Sequence, residues 1–161
     1  MVNDNWQTPK KLFSWIEEQM GIEFNLDPCT TEDNPLETLY YFTPKHDGLT
    51  QGWYMDEQTY AFMNPPYSRG EIDKWVKKAH DEGKREDVMV AGLLPLRTSK
   101  WFMNHINKNG VLLPSLGNWF YLDSGQCGIY FLGSRERFVN PVTGEQEKNS
   151  PFWDTFIAVW V

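Results

Sequence analysis

The sequence predicts an α/β domain whose sheet is mostly parallel, with antiparallel pairing near the C-terminus. Three observations carry that expectation. Segments of helical periodicity alternate with short apolar runs through residues 9–113. Val88 to Leu94 is apolar without a break, the pattern of a strand buried on both faces, as a parallel sheet requires. Beyond Gly110 the chain changes to short aromatic segments split by turn-rich stretches, late strands that suggest an antiparallel pair near the end.

The elements follow in order. Thr8 is placed to cap a helix that Pro9 opens; Leu12, Phe13, Ile16 and Met20 form its apolar stripe and Gly21 suits its stop. Ile22 to Leu26 reads as a strand running into Asp27-Pro28-Cys29. From there to about Gln58, Thr, Asn, Asp and Pro dominate, so loops with little regular structure are expected. Tyr60 to Met63 is a strand ending at Asn64-Pro65-Pro66-Tyr67. A helix from about Gly70 to Glu82 buries Ile72, Trp75, Val76 and Ala79 before Gly83. After the Val88–Leu94 strand, Thr98 to Asn109 reads as a helix stopped by Gly110. Val111–Leu113, Asn118–Leu122, Gly128–Leu132 and Thr155–Val161 supply the late strands. No repeat and no linker divides the chain, so one domain over residues 1–161 is expected.

Composition narrows the class further. A chain of 161 residues, 40% hydrophobic and 16% aromatic, can bury a core without disulfide or metal staples. Its longest apolar run, Val88 to Leu96, falls far short of the roughly 20 residues that cross a bilayer. Met1 to Lys11 lacks the apolar stretch of a secretory signal. Cys29 and Cys127 make neither a disulfide framework nor a zinc cluster, and His46, His80 and His105 show no metal spacing. A soluble, cytoplasmic, metal-free protein is expected. The net charge of −7 is unevenly spread: residues 1–63 carry 3 basic against 11 acidic side chains, residues 64–110 carry 9 against 6. Overall acidity argues against tight nucleic-acid binding, while the middle third can still present a local basic face.

The sharp feature is Asn64-Pro65-Pro66-Tyr67. At average usage these four residues arise by chance in about one chain of this length in two thousand. A Pro-rich turn with Tyr67 as a packed aromatic is the structural alternative. The chemical reading is more specific, because the motif leaves a strand end, where open α/β sheets place ligands. An amine on a heteroaromatic ring is a poor nucleophile, since its lone pair is delocalised. The Asn64 side-chain carbonyl and the Pro65 main-chain carbonyl can each accept one of its hydrogens, favouring tetrahedral nitrogen as attack begins. The prolines hold those acceptors in place beforehand. Tyr67 offers a flat face for the ring, worth roughly 1–3 kcal/mol per base in single-strand binding. Orientation alone can supply much of the acceleration, with effective molarities of about 10⁵–10⁸ M.

Asn-Pro-Pro-Tyr is similar to the catalytic motif of S-adenosylmethionine-dependent amino methyltransferases. The motif by itself leaves adenine in DNA, RNA bases and a protein glutamine amide open as acceptors. A wider pattern chooses among them. It runs from Trp6-x-Thr8-Pro9-x-x-Leu12-Phe13 and Phe24-x-Leu26-Asp27-Pro28-Cys29 through Tyr41-Phe42-Thr43, Asp47-Gly48-Leu49 and Trp53 to the motif with Ser68. It continues through Trp75, Lys78-Ala79, Leu93-Leu94-Pro95-x-Arg97-Thr98, Trp101-Phe102, Arg137-Phe138 and Ser150-Pro151-Phe152. Together these resemble the phage-type DNA N-6-adenine methyltransferases over nearly the whole chain.

The resemblance implies a Rossmann-like fold and methyl transfer from S-adenosylmethionine to the 6-amino group of adenine flipped out of duplex DNA, with phage or prophage DNA as the modified molecule. It implies catalytic roles for Asn64, Pro65, Pro66 and Tyr67. Cofactor contacts fall to Trp6, Thr8, Pro9, Asp27, Pro28, Cys29, Asp47, Leu49 and Asn64, with Asp47 accepting from the cofactor's adenine amine and Leu49 beside that ring. Thr30 to Asn34 stands where methyltransferases usually carry a glycine-rich turn, and Glu32 and Asp33 are the candidates for the ribose.

Tyr67, Arg97, Thr98 and Phe152 would meet the DNA. Arg97-Thr98 reads equally as a helix cap beside a solvated arginine, and Phe152 as core. Lys74, Lys77, Lys78, Lys84 and Arg85 either track the DNA backbone or form a solvated helix face. Cys29 after a proline is similar to cytosine methyltransferases that use a cysteine nucleophile, but that mechanism needs different companions. A target sequence would be short, loose, or read with a partner or dimer mate. An RNA or protein acceptor, or a binding module that has lost catalysis, remain the alternative functions.

Overall fold

The structure is a computed structural model; it describes residues 6–97, 99–106, 112–113, 119–122, 127–132, 138–140, 142–145 and 154–161. One mixed sheet sits between helices on both faces. The first helix, α1 (Lys10–Met20), buries Leu12, Phe13 and Ile16. It ends at Gly21, whose left-handed φ of 66° turns its N–H onto the Glu17 carbonyl at 2.8 Å. The N-terminus differs from expectation. Pro9 occupies the cap position and accepts from the Phe13 N–H, so Thr8 does not cap the helix, and its hydroxyl has no partner among the described residues.

The strand expected from Ile22 is only β1 (Leu26–Asp27), because the residues before it close α1: the Ile22 N–H goes to the Glu17 carbonyl and the Phe24 N–H to the Glu17 carboxylate. A two-residue strand, β2 (Tyr40–Tyr41), interrupts the expected loop and pairs parallel with β1. Then come β3 (Thr59–Met63), α2 (Glu71–Glu82) and β4 (Val88–Pro95), each within a residue or two of its sequence-predicted bounds. Helix α3 (Lys100–His105) is shorter than expected; Thr98 and residues 107–110 lie outside the described residues. Strands β5 (Leu112–Leu113), β6 (Trp119–Leu122), β7 (Cys127–Phe131) and β8 (Thr155–Trp160) complete the sheet.

The strand order is β2-β1-β3-β4-β8-β7-β6-β5. Its first half is parallel, while β4–β8, β8–β7, β7–β6 and β6–β5 all pair antiparallel. The expectation of a mostly parallel sheet is therefore corrected to an evenly mixed one. Residues 114–118 and 123–126 are too few for a crossover connection of about a dozen residues, so β6 must return antiparallel to β5, and β7 to β6.

Alternation along β3, β4 and β8 feeds two cores. Ala61, Met63, Val90, Leu94, Ala158 and Trp160 face α2 and α3, where Trp75, Val76, Trp101 and Phe102 meet them. Phe62, Ala91, Leu93, Ile157 and Val159 face α1 on the other side. Each large side chain so buried contributes about 1.5–3 kcal/mol. No helix among the described residues is long and apolar enough to cross a membrane.

Candidate active site

The parallel strands deliver their carboxyl ends to one edge of the sheet. Asp27 closes β1, Asn64 follows β3, and Leu96-Arg97 follows β4. Beside these ends lies a cleft of about 330 Å³. Its wall contains Trp6, Thr8, Asp27, Pro28, Cys29, Asp47, Leu49 and Asn64, all named from the sequence as cofactor residues. Pro9 is the exception: it precedes α1 without lining the cleft.

Asn64 is held by its own amide. Its Nδ2 donates to the Trp6 carbonyl at 2.8 Å, so the nitrogen end of the amide is committed to the protein. Among the described residues Oδ1 makes no hydrogen bond. The Trp6 segment is itself fixed, because Gln7 exchanges two main-chain hydrogen bonds of 3.0 Å with Val139. Pro66 lines the cleft, whereas Pro65 is buried and does not line it. The Tyr67 hydroxyl donates to the Leu93 carbonyl at 2.9 Å and its ring meets Phe138 edge-on, which fixes the ring plane. Burial, then the neighbouring Cys29, pushes the Tyr67 phenol well above its ordinary pKa, so it stays a neutral donor. Arg97 Nη2 donates to the Tyr67 carbonyl at 3.1 Å and so joins the segments that follow β3 and β4. Thr98 and Phe152 lie outside the described residues.

The turn after β1 is built by close approach rather than by glycines of its own. Gly48 lies so near it that a Cβ there would stand 2.0 Å from the Pro28 carbonyl oxygen. Trp53, fully buried, donates its indole N–H to the Gly48 carbonyl at 2.9 Å and locks Asp47-Gly48-Leu49 in place. Burial raises the Asp27 carboxyl to about 7, against hydrogen bonds from Cys29 and Thr30 that favour its ionised form. Burial and then Asp27 push the Cys29 thiol up, which keeps it protonated and a poor nucleophile. Thr8 and Thr31 bring hydroxyl oxygens that are buried and without hydrogen-bond partners to the same cleft.

Other expectations are redirected. Neither Glu32 nor Asp33 lines the cleft; Glu32 is engaged by Lys45 at 3.0 Å, whose hydrogen bond lowers its pKa. The cations of α2 and the turn after it are paired: Lys74 with Glu71, Lys77 and Lys84 with Asp81, Lys78 with Glu82, and Arg85 with Asp87. Each of these cations therefore has a carboxylate beside it, and the Lys78–Glu82 pair is largely buried. Sequence reasoning gave no role to Phe42, Thr43 and Trp75, which line the cleft and lay within the quoted pattern. Leu36 and Glu71 also line it, with no local signal in the sequence. No cluster of three metal-binding side chains occurs among the described residues.

Comparison with known proteins gives the chain its family. The sequence profile of the family described as DNA N-6-adenine-methyltransferase (Dam) matches residues 1–158. The chain is 29% identical over 151 residues to the DNA N-6-adenine-methyltransferase of Haemophilus phage HP1 (strain HP1c1), covering 92% of this chain and 75% of that protein. It is 30% identical over 102 residues to the DNA N-6-adenine-methyltransferase of Escherichia phage T1, covering 63% of this chain and 40% of that protein. No solved structure matches the chain. Since the profile extends over almost every residue, from the Thr8-Pro9 segment through the Asn64 turn to β8, the chain belongs to the DNA N-6-adenine-methyltransferase (Dam) family.

Proposed function

We propose that this protein transfers the methyl group of S-adenosylmethionine to the 6-amino group of adenine in DNA, as a single domain of the Rossmann-like methyltransferase class. The observation that carries this reading is the held amide of Asn64. With Nδ2 given to Trp6, Oδ1 is the group the side chain presents to a ligand, and it can only accept. It accepts one hydrogen of the target amine, and the Pro65 carbonyl accepts the other. The amine then becomes a directed nucleophile without prior deprotonation, and its surplus proton passes to water after transfer. Tyr67, its ring plane fixed by the bond to Leu93, stacks on the base.

The cleft suits the cofactor. Its volume of about 330 Å³ lies within the roughly 300–1,000 Å³ of small-molecule sites. The unpartnered Thr8 and Thr31 hydroxyls and the buried Asp27 carboxyl are groups that a zwitterionic, positively charged ligand satisfies. Thr8 and Asp27 hold its amino-acid end, and Asp47 and Leu49 hold its adenine. When bound, the cofactor supplies an electrophilic methyl carbon. The target atom lies inside the duplex, so the adenine is flipped out at a cost of a few kcal/mol. The names of the phage relatives support DNA as the acceptor and a phage or prophage setting, with the reaction in the host cytoplasm.

The test separates catalysis from binding. Asn64→Ala should lose at least about 2.7 kcal/mol of transition-state stabilisation, a hundredfold in rate, as when one preorganised polar group is removed. Calorimetric affinity for S-adenosylhomocysteine should stay within a few-fold of wild type. If affinity and turnover fall together, Asn64 is a cofactor or structural residue and the proposed role is wrong.

A further inference from the structure

The proposed reaction sets a polyanion against a protein of net charge −7, so the cations that meet it must be few and well placed. Those of α2 do not qualify. Each is paired with a carboxylate of the same helix, Asp81 serving both Lys77 and Lys84, and must give up that partner before it neutralises a phosphate. Among the described residues, the exposed lysines and arginines with no ion pair or hydrogen bond are Lys11, Arg69 and Lys100. Lys11 belongs to α1, on the far face of the sheet.

Arg69 and Lys100 occupy a different position. Arg69 comes two residues after Tyr67, just before α2; Lys100 is the first residue of α3, five residues beyond the end of β4. Strands β3 and β4 are parallel neighbours, so both cations stand at the carboxyl edge that holds the Asn64–Tyr67 turn, and the Arg97–Tyr67 hydrogen bond ties their two segments together. Of the carboxylates at this edge, Glu71 is committed to Lys74 at 2.6 Å, and exposed Asp154 sits beside Leu96, whose N–H its main-chain carbonyl accepts at 2.7 Å. Leu96 and Met103, 46% and 42% exposed, add apolar surface to the segment after β4. This is the composition of a surface that meets phosphate together with sugar and base edges.

We propose that Arg69 and Lys100 form a phosphate clamp that seats the DNA backbone beside the catalytic turn, in place of the basic face of α2. The clamp rests on the DNA reading above. Phosphate contacts set position and carry no sequence information, so the clamp is testable without knowledge of the target sequence. Each contact released should reduce the slope of log K against log salt by about 0.9.

The experiment measures fluorescence anisotropy of a labelled adenine-containing duplex, with S-adenosylhomocysteine present, between about 50 and 200 mM salt. Arg69→Gln and Lys100→Gln should each flatten the slope by about 0.9, and the double variant by about twice that. Lys77→Gln and Lys84→Gln should leave it unchanged. Thermal melting confirms that every variant is folded. Unchanged slopes for the first pair, or flattened slopes for the second, overturn the clamp while wild-type binding leaves the DNA reading intact. A wild-type protein that binds S-adenosylhomocysteine but no duplex overturns the DNA reading itself, and the clamp with it.

Discussion

At the scale of single residues, the candidate site leaves some polar groups unsatisfied and tightly satisfies others. Asn64 and Tyr67 are pinned through Trp6 and Leu93, while Asp27 is buried with no cationic partner among the described residues. That burial has a measurable signature. The native Asp27 carboxyl titrates near 7 and the unfolded one near 3.8, so the native state holds the extra proton between those values. Stability should therefore fall as pH rises from about 4 to about 7, by roughly 4 kcal/mol if the whole shift is expressed. Asp81 does not mask this change. Its hydrogen bond from Lys77 keeps it near 2, so its contribution is already complete above about pH 4. In urea unfolding, Asp27→Asn should gain on wild type across that window; parallel curves would show Asp27 to be solvated. The role of Asp27 was legible from the sequence only as a position at a strand end. Its raised pKa was not, because burial comes from residues distant along the chain.

At the scale of elements, the cleft depends on one contact between two loops. Gly48 lies against the Pro28 carbonyl, and the Trp53 indole holds it there, with the Trp53 main-chain N–H facing the Glu82 carboxylate that Lys78 engages at 2.5 Å. A methyl group at Gly48 must push the turn after β1 away from Asp47 and Leu49. Gly48→Ala should cost about 1–3 kcal/mol of stability and weaken S-adenosylhomocysteine binding at least about tenfold. Gly52→Ala, where a Cβ meets nothing within 4 Å, is the control and should change neither. Equal behaviour of the two variants would show that the loop contact is dispensable. Helices α1 and α2 and strands β3 and β4 could be read from the sequence because their periodicity and stop residues are local. The shortness of β1 and the existence of β2 could not. Both follow from bonds made by Glu17 and Asn25 to residues whose position the fold decides.

At the scale of the whole molecule, β8 joins two kinds of sheet. The parallel half presents its strand ends to the cleft, and the antiparallel half backs it through the β4–β8 pairing. The balance between them was misjudged from sequence because a buried apolar strand looks the same in either direction; the short connections after β5 and β6 were the better guide. The site was more legible than the sheet. Asn64 to Tyr67 is contiguous and keeps its meaning wherever the strand ends, whereas Leu36 and Glu71 reach the cleft only through folding. The account stands or falls on its acceptor atom. Adenine-unmethylated duplex DNA would be incubated with the purified protein and S-adenosylmethionine carrying a labelled methyl group, then digested to nucleosides and analysed by mass spectrometry. The predicted result is label in N-6-methyladenine, absent with Asn64→Ala. Label in another base, or DNA left unlabelled while RNA or protein is methylated, would contradict it.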